Sequence, residues 1–458
     1  MPNLRLNSRP GPLPAALAAC GLLAMVTLAA PIEPLYDPWA WLVWGREATG
    51  FDLDTSVGPS WKPLPVLIAA PLAASGDWAP DLWLALVRLG WLAVPVLAWR
   101  LAARLEGSSG PHAVFAGLAA AAAVVLMADE FTPWIRQGAG GLSEPLLAAL
   151  VLGAVEAALA GRVRWALGLA LAACLLRPEA WPFAAAYAWR EARAGRVRPL
   201  TVAAGVALVP VLWFVPDLMG AGNALEGAER ARGSDNSPLE VLGWAAEMPL
   251  AALWVGVGLA VWPWRGRLSE SASTLTWGAA TWIGIVAVMA CAGYAGLPRF
   301  MAPAVAVLCA VGAAGLVRAV ASVRRGAAWA AATAVLVLGA QGALRAADLP
   351  GELDSLREES APLEALSDLV SAGPEAFMGC GELWTSVFIT QTALAWHLDL
   401  AVSDVVTTSS VPPPDGRLVV GAGSDAGLAA RARADGSPLA ADGGWEVYGT
   451  GACASAAG

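Results

Sequence analysis

Asp37, Arg46, Glu47 and Lys62 place two carboxylates and two cations in one short stretch that begins "DPWAWLVWGRE" and ends "GPSWKPLP". A carboxylate at the edge of an apolar segment is suited to take a proton from a hydroxyl as that hydroxyl attacks an electrophile. An ammonium is a compact point charge that meets a phosphate oxygen without the bidentate geometry arginine demands. Lys62 is the only lysine in a chain that otherwise uses arginine for its basic side chains. Pro59, Pro63 and Pro65 argue against a helix around it, so an extended path fixing the ammonium is expected.

The elements that carry these residues must be largely membrane-spanning. Of 458 residues 57% are hydrophobic and only 14% charged, which excludes an ordinary water-soluble globule. Apolar runs long enough to cross a bilayer, roughly 17 to 25 residues each, recur from Leu13 to Leu344. The first, Leu13 to Ala30, follows Arg5 and Arg9 and is succeeded at once by Pro31, which hinders cleavage. It reads as an uncleaved signal anchor with a cytoplasmic N-terminus. Arg100 with Arg104, Arg162 with Arg164, Arg190 through Arg198, Arg265 with Arg267, and Arg318 through Arg325 mark five cytoplasmic returns. Five returns imply about eleven transmembrane helices. Val163 to Ala192 is read as two short spans around an outer turn holding Arg177 and Glu179, because a single helix would put the following arginine cluster outside.

An odd span count sends the tail to the outer side. From residue 346 onward it holds 16 Asp and Glu against 4 Arg, so it carries the acidity of a chain whose net charge is −9, and no nucleic-acid partner is expected. "EAFMGC", "RLVVGAG" and "WEVYGTG" read as short strands, and "TALAWHLDL" and "AGLAARARA" as helices. The expected architecture is an all-α polytopic membrane domain, 1–345, with a long first outer loop, 31–80, followed by a small extracytoplasmic α/β domain, 346–458. The expected location is the plasma membrane. Cys380 and Cys453 would meet an oxidising compartment there, either as one disulfide tying the first strand to the last or as two free thiols. His112 and His397 are far apart and there is no CxxC, so no metal or other cofactor is expected. The Trp-rich stretch from Pro34 to Gly50 is expected to lie along the membrane surface, where indoles favour the interface.

"DPWAWLVWGRE" followed by "GPSWKPLPVLIAAPLAASG" resembles the first outer loop of GT-C glycosyltransferases, especially lipid A aminoarabinose transferases and the protein O-mannosyltransferase-like family 39 enzymes. Asp37, Arg46, Glu47, Lys62 and Pro63 match that pattern, whereas Pro38 stands where the family has a second acidic residue and Lys-Pro-Leu-Pro replaces Lys-Pro-Pro. "WIRQGAGGLSEPLLAAL", "LLRPEAWPF" and "GYAGLPRFMAPA" are similar to later outer segments, and the resemblance ends near Leu344. It implies a polyprenyl-phosphate sugar donor held among membrane lipids, an extracytoplasmic acceptor of unknown identity, and inverting transfer with Asp37 as general base. Lys62, Arg136, Arg177 and Arg299 then converge on the leaving phosphate, with Arg46, Glu47, Glu144 and Glu179 among the substrate contacts. Each has another reading: headgroup contact for Arg136 and Arg299, an ion pair with Glu179 for Arg177, and a helix cap for Glu144. Arg88, within the second apolar run, is a functional candidate or a snorkelling side chain. A lipid flippase or other transporter, and a noncatalytic envelope scaffold, are the competing classes.

Overall fold

The computed structural model of the protein describes residues 13–261, 267–323, 327–409, 411, 414–421 and 423–455. Arg5, Arg9, Arg265, Arg324 and Arg325, which enter the topology reading, lie outside the described residues. The chain divides into two compact units, one formed by Met1–Thr27, Ala85–Trp213 and Ala231–Leu353, the other by Leu28–Leu84, Phe214–Arg230 and Asp354–Gly458.

The first unit is helical and is built around Ala302–Ser322, in which every residue from Ala302 to Gly315 is buried. An all-apolar sequence of small side chains permits this, because no polar face has to reach water. The backbone contact with Ala252–Val261 depends on glycine: a Cβ on Gly256 would stand 2.0 Å from the Gly312 carbonyl oxygen. Pro111–Val125, Ser143–Leu159 and Arg267–Cys291 pack around the same central helix. Its N-terminus is preceded by the 3-10 turn Pro298–Met301, which carries Arg299. Val163–Cys174 and Trp181–Arg193 are separate helices, with Arg177 and the 3-10 turn Pro178–Ala180 between them.

Five helices among the described residues are long and apolar enough to cross a bilayer, and a sixth is added if Pro238–Glu247 and Ala252–Val261, bent by 94°, count as one span. Four more, Leu13–Thr27, Pro63–Ala73, Pro111–Val125 and Val163–Cys174, are apolar but shorter. A 15-residue helix such as Leu13–Thr27 rises only about 22 Å, against a hydrocarbon core of about 30 Å. A count of about eleven spans therefore needs short helices to cross.

The second unit joins Leu28–Leu84 and Phe214–Arg230 to the tail. Its sheet has the order β2-β1-β3-β5-β4, with β1 (Glu382–Thr385), β2 (Val405–Thr407), β3 (Gly416–Val420), β4 (Ala440–Asp442) and β5 (Trp445–Thr450). β1 runs parallel to β2 and β3, and β5 antiparallel to β3 and β4. The expected strand "EAFMGC" is not one: Pro374–Ala376 is a 3-10 turn, and the chain becomes extended only after Gly379 and Gly381, both at positive φ. The helices Gln391–His397 and Ala426–Asp435 form where the pattern placed them. A disulfide joins Cys380, just before β1, to Cys453, just after β5, with Cα atoms 5.7 Å apart.

One face of the sheet is filled partly from the loop. Ala40 and Val43 of the helix Tyr36–Gly50 enter the same core as Leu366, Leu369, Leu383, Leu394, Val419 and Val447. Trp39, Trp41 and Trp44 of that helix are fully buried, so the stretch expected to lie along a membrane surface is an interior element of this unit. From Pro38 to Gly45 its residues are all apolar and all buried, which fits a buried helix better than an interfacial one.

Candidate functional site

In the second unit, Asp37 lies in the first turn of Tyr36–Gly50, where a carboxylate is favoured by the helix dipole, and Pro38 is tolerated beside it because that turn needs no N–H. Asp37 is half-exposed and makes no hydrogen bond or ion pair among the described residues. Its neighbour Tyr36 is tied down, donating from its hydroxyl to Gln391 Oε1 at 2.9 Å and stacking on Phe388 with ring centroids 4.4 Å apart. Four residues upstream, the Glu33 carboxyl is raised to about 7 by burial and by the nearby carboxylates of Glu364 and Asp81.

Lys62 is extended, as expected, but it is the N-cap of a helix, Pro63–Ala73, that the prolines start rather than prevent. Proline fits the first turn of a helix because its missing N–H would have no partner there. That helix packs closely on Tyr36–Gly50: a Cβ on Gly45 would lie 2.6 Å from Ala69 backbone carbon. The Lys62 ammonium is buried and sits 4.9 Å from the Trp41 ring centroid, whose face attracts a cation. The loop leading to it is gripped by Arg230, which donates to the carbonyls of Thr55, Gly58 and Pro59. Arg230 was not legible as a positioning residue, since a lone arginine far along the chain signals nothing of its loop partners.

Arg46 is engaged otherwise than the resemblance implies. It donates to the carbonyls of Trp396 (3.2 Å), Ala395 (3.3 Å) and Leu400 (2.6 Å), pairs with Asp399 at 2.8 Å and covers the Trp396 ring. It thus caps the C-terminal end of Gln391–His397, where a cation is favoured. Glu47 is buried, accepts the Asp54 N–H at 2.9 Å through Oε2, and has no partner for Oε1 among the described residues. Burial raises its carboxyl to about 7.

In the first unit, three sequence segments far apart along the chain meet. Glu144, 1% exposed at the start of Ser143–Leu159, pairs with Arg177 at 2.5 Å. Glu179, which the sequence favoured as the partner of Arg177, is secondary at 3.9 Å, and its Oε2 has no hydrogen-bond partner among the described residues. Arg177 also stacks on Phe300, 3.6 Å from the ring centroid, while Arg299 approaches the same ring at 5.5 Å. Arg299 makes no ion pair among the described residues, and its buried Nε has no acceptor.

Asp129, which the sequence did not single out, faces this group. Its Oδ1 accepts the backbone N–H of Phe131 and Thr132, and its Oδ2 accepts Gln137 Nε2 at 3.1 Å. Burial raises its carboxyl, against the pull of those N–H groups and of Arg299. Arg136, half-buried, stands in the short helix Trp134–Ala139 next to Gln137. Arg88 is neither a ligand candidate nor a snorkelling side chain: it is buried and donates to the carbonyls of Ala139, at 2.9 and 3.2 Å, and Thr27, at 2.8 Å. Among the described residues no group of three or more His, Cys, Asp or Glu side chains is arranged to hold a metal ion.

This architecture is shared with solved structures. Among solved structures the chain is similar to ArnT from Cupriavidus metallidurans, in a crystal structure bound to undecaprenyl phosphate and in one of the apo state. Each aligns with a TM-score of 0.55 and 14% identity over 94% of this chain and 97% of that one. The sequence resemblance ended near Leu344; the likeness of fold extends into the tail. No family model matches the sequence, and no curated protein matches it.

Proposed function

We propose that the protein is a membrane glycosyltransferase that moves a sugar from a polyprenyl-phosphate donor to an extracytoplasmic acceptor, a cell-envelope glycan, lipid or protein. The observation that carries this reading is the cluster of Arg177, Arg299 and Phe300 on a GT-C fold, with one guanidinium neutralised by Glu144 and the other making no ion pair among the described residues, although the Asp129 carboxylate acts on it from nearby. A cation without a direct ion pair at the head of a buried apolar helix favours an anion supplied by a ligand. Likeness to a protein crystallised with undecaprenyl phosphate supports a lipid phosphate as that anion.

In this reading Asp37 removes the proton from the acceptor hydroxyl, whose oxygen attacks the anomeric carbon from the face opposite the phosphate. The bond from the anomeric carbon to the phosphate oxygen breaks, its electron pair leaves with the polyprenyl phosphate, and configuration inverts. Arg299, Lys62 and Arg136 are assigned to the growing phosphate charge, and Arg177 is held by Glu144 and Glu179. A monophosphate leaving group needs less neutralisation than a diphosphate, so these side chains are given that work without a metal. The assigned topology has about eleven spans, a cytoplasmic N-terminus, and the tail of 346–458 on the outer side.

Mass spectrometry of envelope glycans and glycolipids in a strain lacking the gene tests this. Loss of one sugar, restored by the wild-type gene and not by the Asp37→Asn variant, is expected. An envelope unchanged in every glycan and glycolipid would count against the transferase reading.

A further inference from the structure

Within the first unit, the helices Val163–Cys174 and Trp181–Arg193 and the first half of Pro199–Gly220 line an open cavity of about 1210 Å³ that the proposed chemistry does not use. Its walls are apolar, from Leu167 and Leu171 on one side to Val202, Val206 and Val209 on the other. The charged residues that line it are Arg164, Arg196 and Arg198, and all three belong to the same end, where the first helix begins, the second has just ended and the third begins. At the opposite end stand Cys174 and Trp181, whose indole N–H donates to the Cys174 carbonyl at 3.0 Å.

The three arginines are unequally satisfied. Arg196 pairs with Glu191, which also pairs with Arg190 at 2.9 Å. Arg164 and Arg198 are exposed and have no carboxylate partner among the described residues. Trp165 and Trp189 are 70% and 60% exposed at this same end, and an exposed indole beside arginine marks the level of lipid headgroups. Gly168 and Gly205 line the cavity, and a Cβ on either would meet nothing within 4 Å, so the space beside them is open. The wall helix Pro199–Gly220 is apolar yet only 11% buried, which leaves it to face lipid.

We infer that this groove binds one anionic phospholipid, with the headgroup phosphate on Arg164 and Arg198 and an acyl chain running between the helices toward Trp181. Charge complementarity selects the occupant. An apolar slot about 18 Å long, from the rise of a 12-residue helix, suits an acyl chain, and the unpaired cations at its mouth call for an anionic head rather than a zwitterionic one. In the topology proposed above, these arginines face the cytoplasmic leaflet, so the lipid is a structural partner separate from a donor whose sugar is transferred on the outer side.

The test is native mass spectrometry of the full chain in mild detergent, exchanged against phosphatidylglycerol or phosphatidylcholine. One phosphatidylglycerol per chain, held at least tenfold more tightly than phosphatidylcholine, is expected. The doubly substituted Arg164→Gln, Arg198→Gln protein, altered only at exposed positions, should lose that preference. Gly205→Phe fills the slot and should expel either lipid. Equal retention of the two lipids, or undiminished phosphatidylglycerol binding by the double variant, would overturn the inference. So would displacement of the phospholipid by undecaprenyl phosphate whose own binding fails in the same double variant, since the groove would then belong to the donor.

Discussion

Replacing Arg46 by alanine separates a fastening role from a ligand role. The guanidinium makes two bonds to the carbonyls of Ala395 and Trp396 that end Gln391–His397, a third to the Leu400 carbonyl just past that helix, one ion pair with Asp399, and a cation–π contact with Trp396. Asp399 is 84% exposed, so its pair contributes little. Hydrogen bonds to a charged donor are worth about 1.5 to 3 kcal/mol each, but carbonyls at a helix end regain water when the donor is lost. A net cost of about 2 to 4 kcal/mol follows, in the range for loss of a buried fastening interaction. For a unit of this size that lowers the melting temperature by roughly 5 to 15 °C. Thermal unfolding in detergent, followed by protease release of the tail, measures it, and Arg46→Lys should recover only part because one ammonium cannot reach all three carbonyls. If Arg46→Ala melted like wild type while its affinity for a polyprenyl phosphate fell, the capping account would be wrong and Arg46 would be a ligand residue.

Glu144→Ala leaves Arg177 without its 2.5 Å partner and should destabilise the first unit by about 3 to 5 kcal/mol, read by thermal unfolding. Opening the Cys380–Cys453 bridge, which closes a separation of 73 residues, should cost about 2 to 4 kcal/mol, and both thiols should label with an alkylating agent only after reduction. The Glu47 carboxyl, raised from 4.5 to about 7 by burial, holds its proton in the folded state. Its stabilising contribution is complete below about pH 4.5 and lost as pH rises through about 7, so wild type should lose stability relative to Glu47→Gln across that window. Parallel melting curves for the two proteins from pH 4 to 8 would remove Glu47 as the source.

The membrane character, the acidic tail and the turn at Arg177 were legible because hydropathy, charge and proline act locally. The helix "TALAWHLDL" and the strands at Arg417 and Trp445 were legible for the same reason, through their periodicity. What failed was long-range. Nothing in "DPWAWLVWGRE" announces that Ala40 and Val43 complete the core of a sheet more than 300 residues later, so three buried tryptophans read as interfacial. Pro63 and Pro65 read as helix breakers because a proline's effect depends on whether it falls in the first turn or beyond it. Arg177 read as the partner of Glu179 because sequence proximity is the visible signal, whereas Glu144 reaches it through packing. Asp129 and Arg230 act through backbone groups, which leave no mark in side-chain pattern.

The central claim is that this protein breaks a sugar–phosphate bond with Asp37 as base. Purified protein in liposomes containing a polyprenyl-phosphate sugar and an envelope extract as acceptor tests it directly, by following donor binding and release of free polyprenyl phosphate in parallel. Wild type should release polyprenyl phosphate as the sugar is transferred, and Asp37→Asn should bind the donor normally while turnover falls by roughly 100-fold or more, the scale of general-base contributions. Turnover by Asp37→Asn at the wild-type rate, or wild type that moves the intact lipid across the bilayer without ever cleaving it, would contradict the claim.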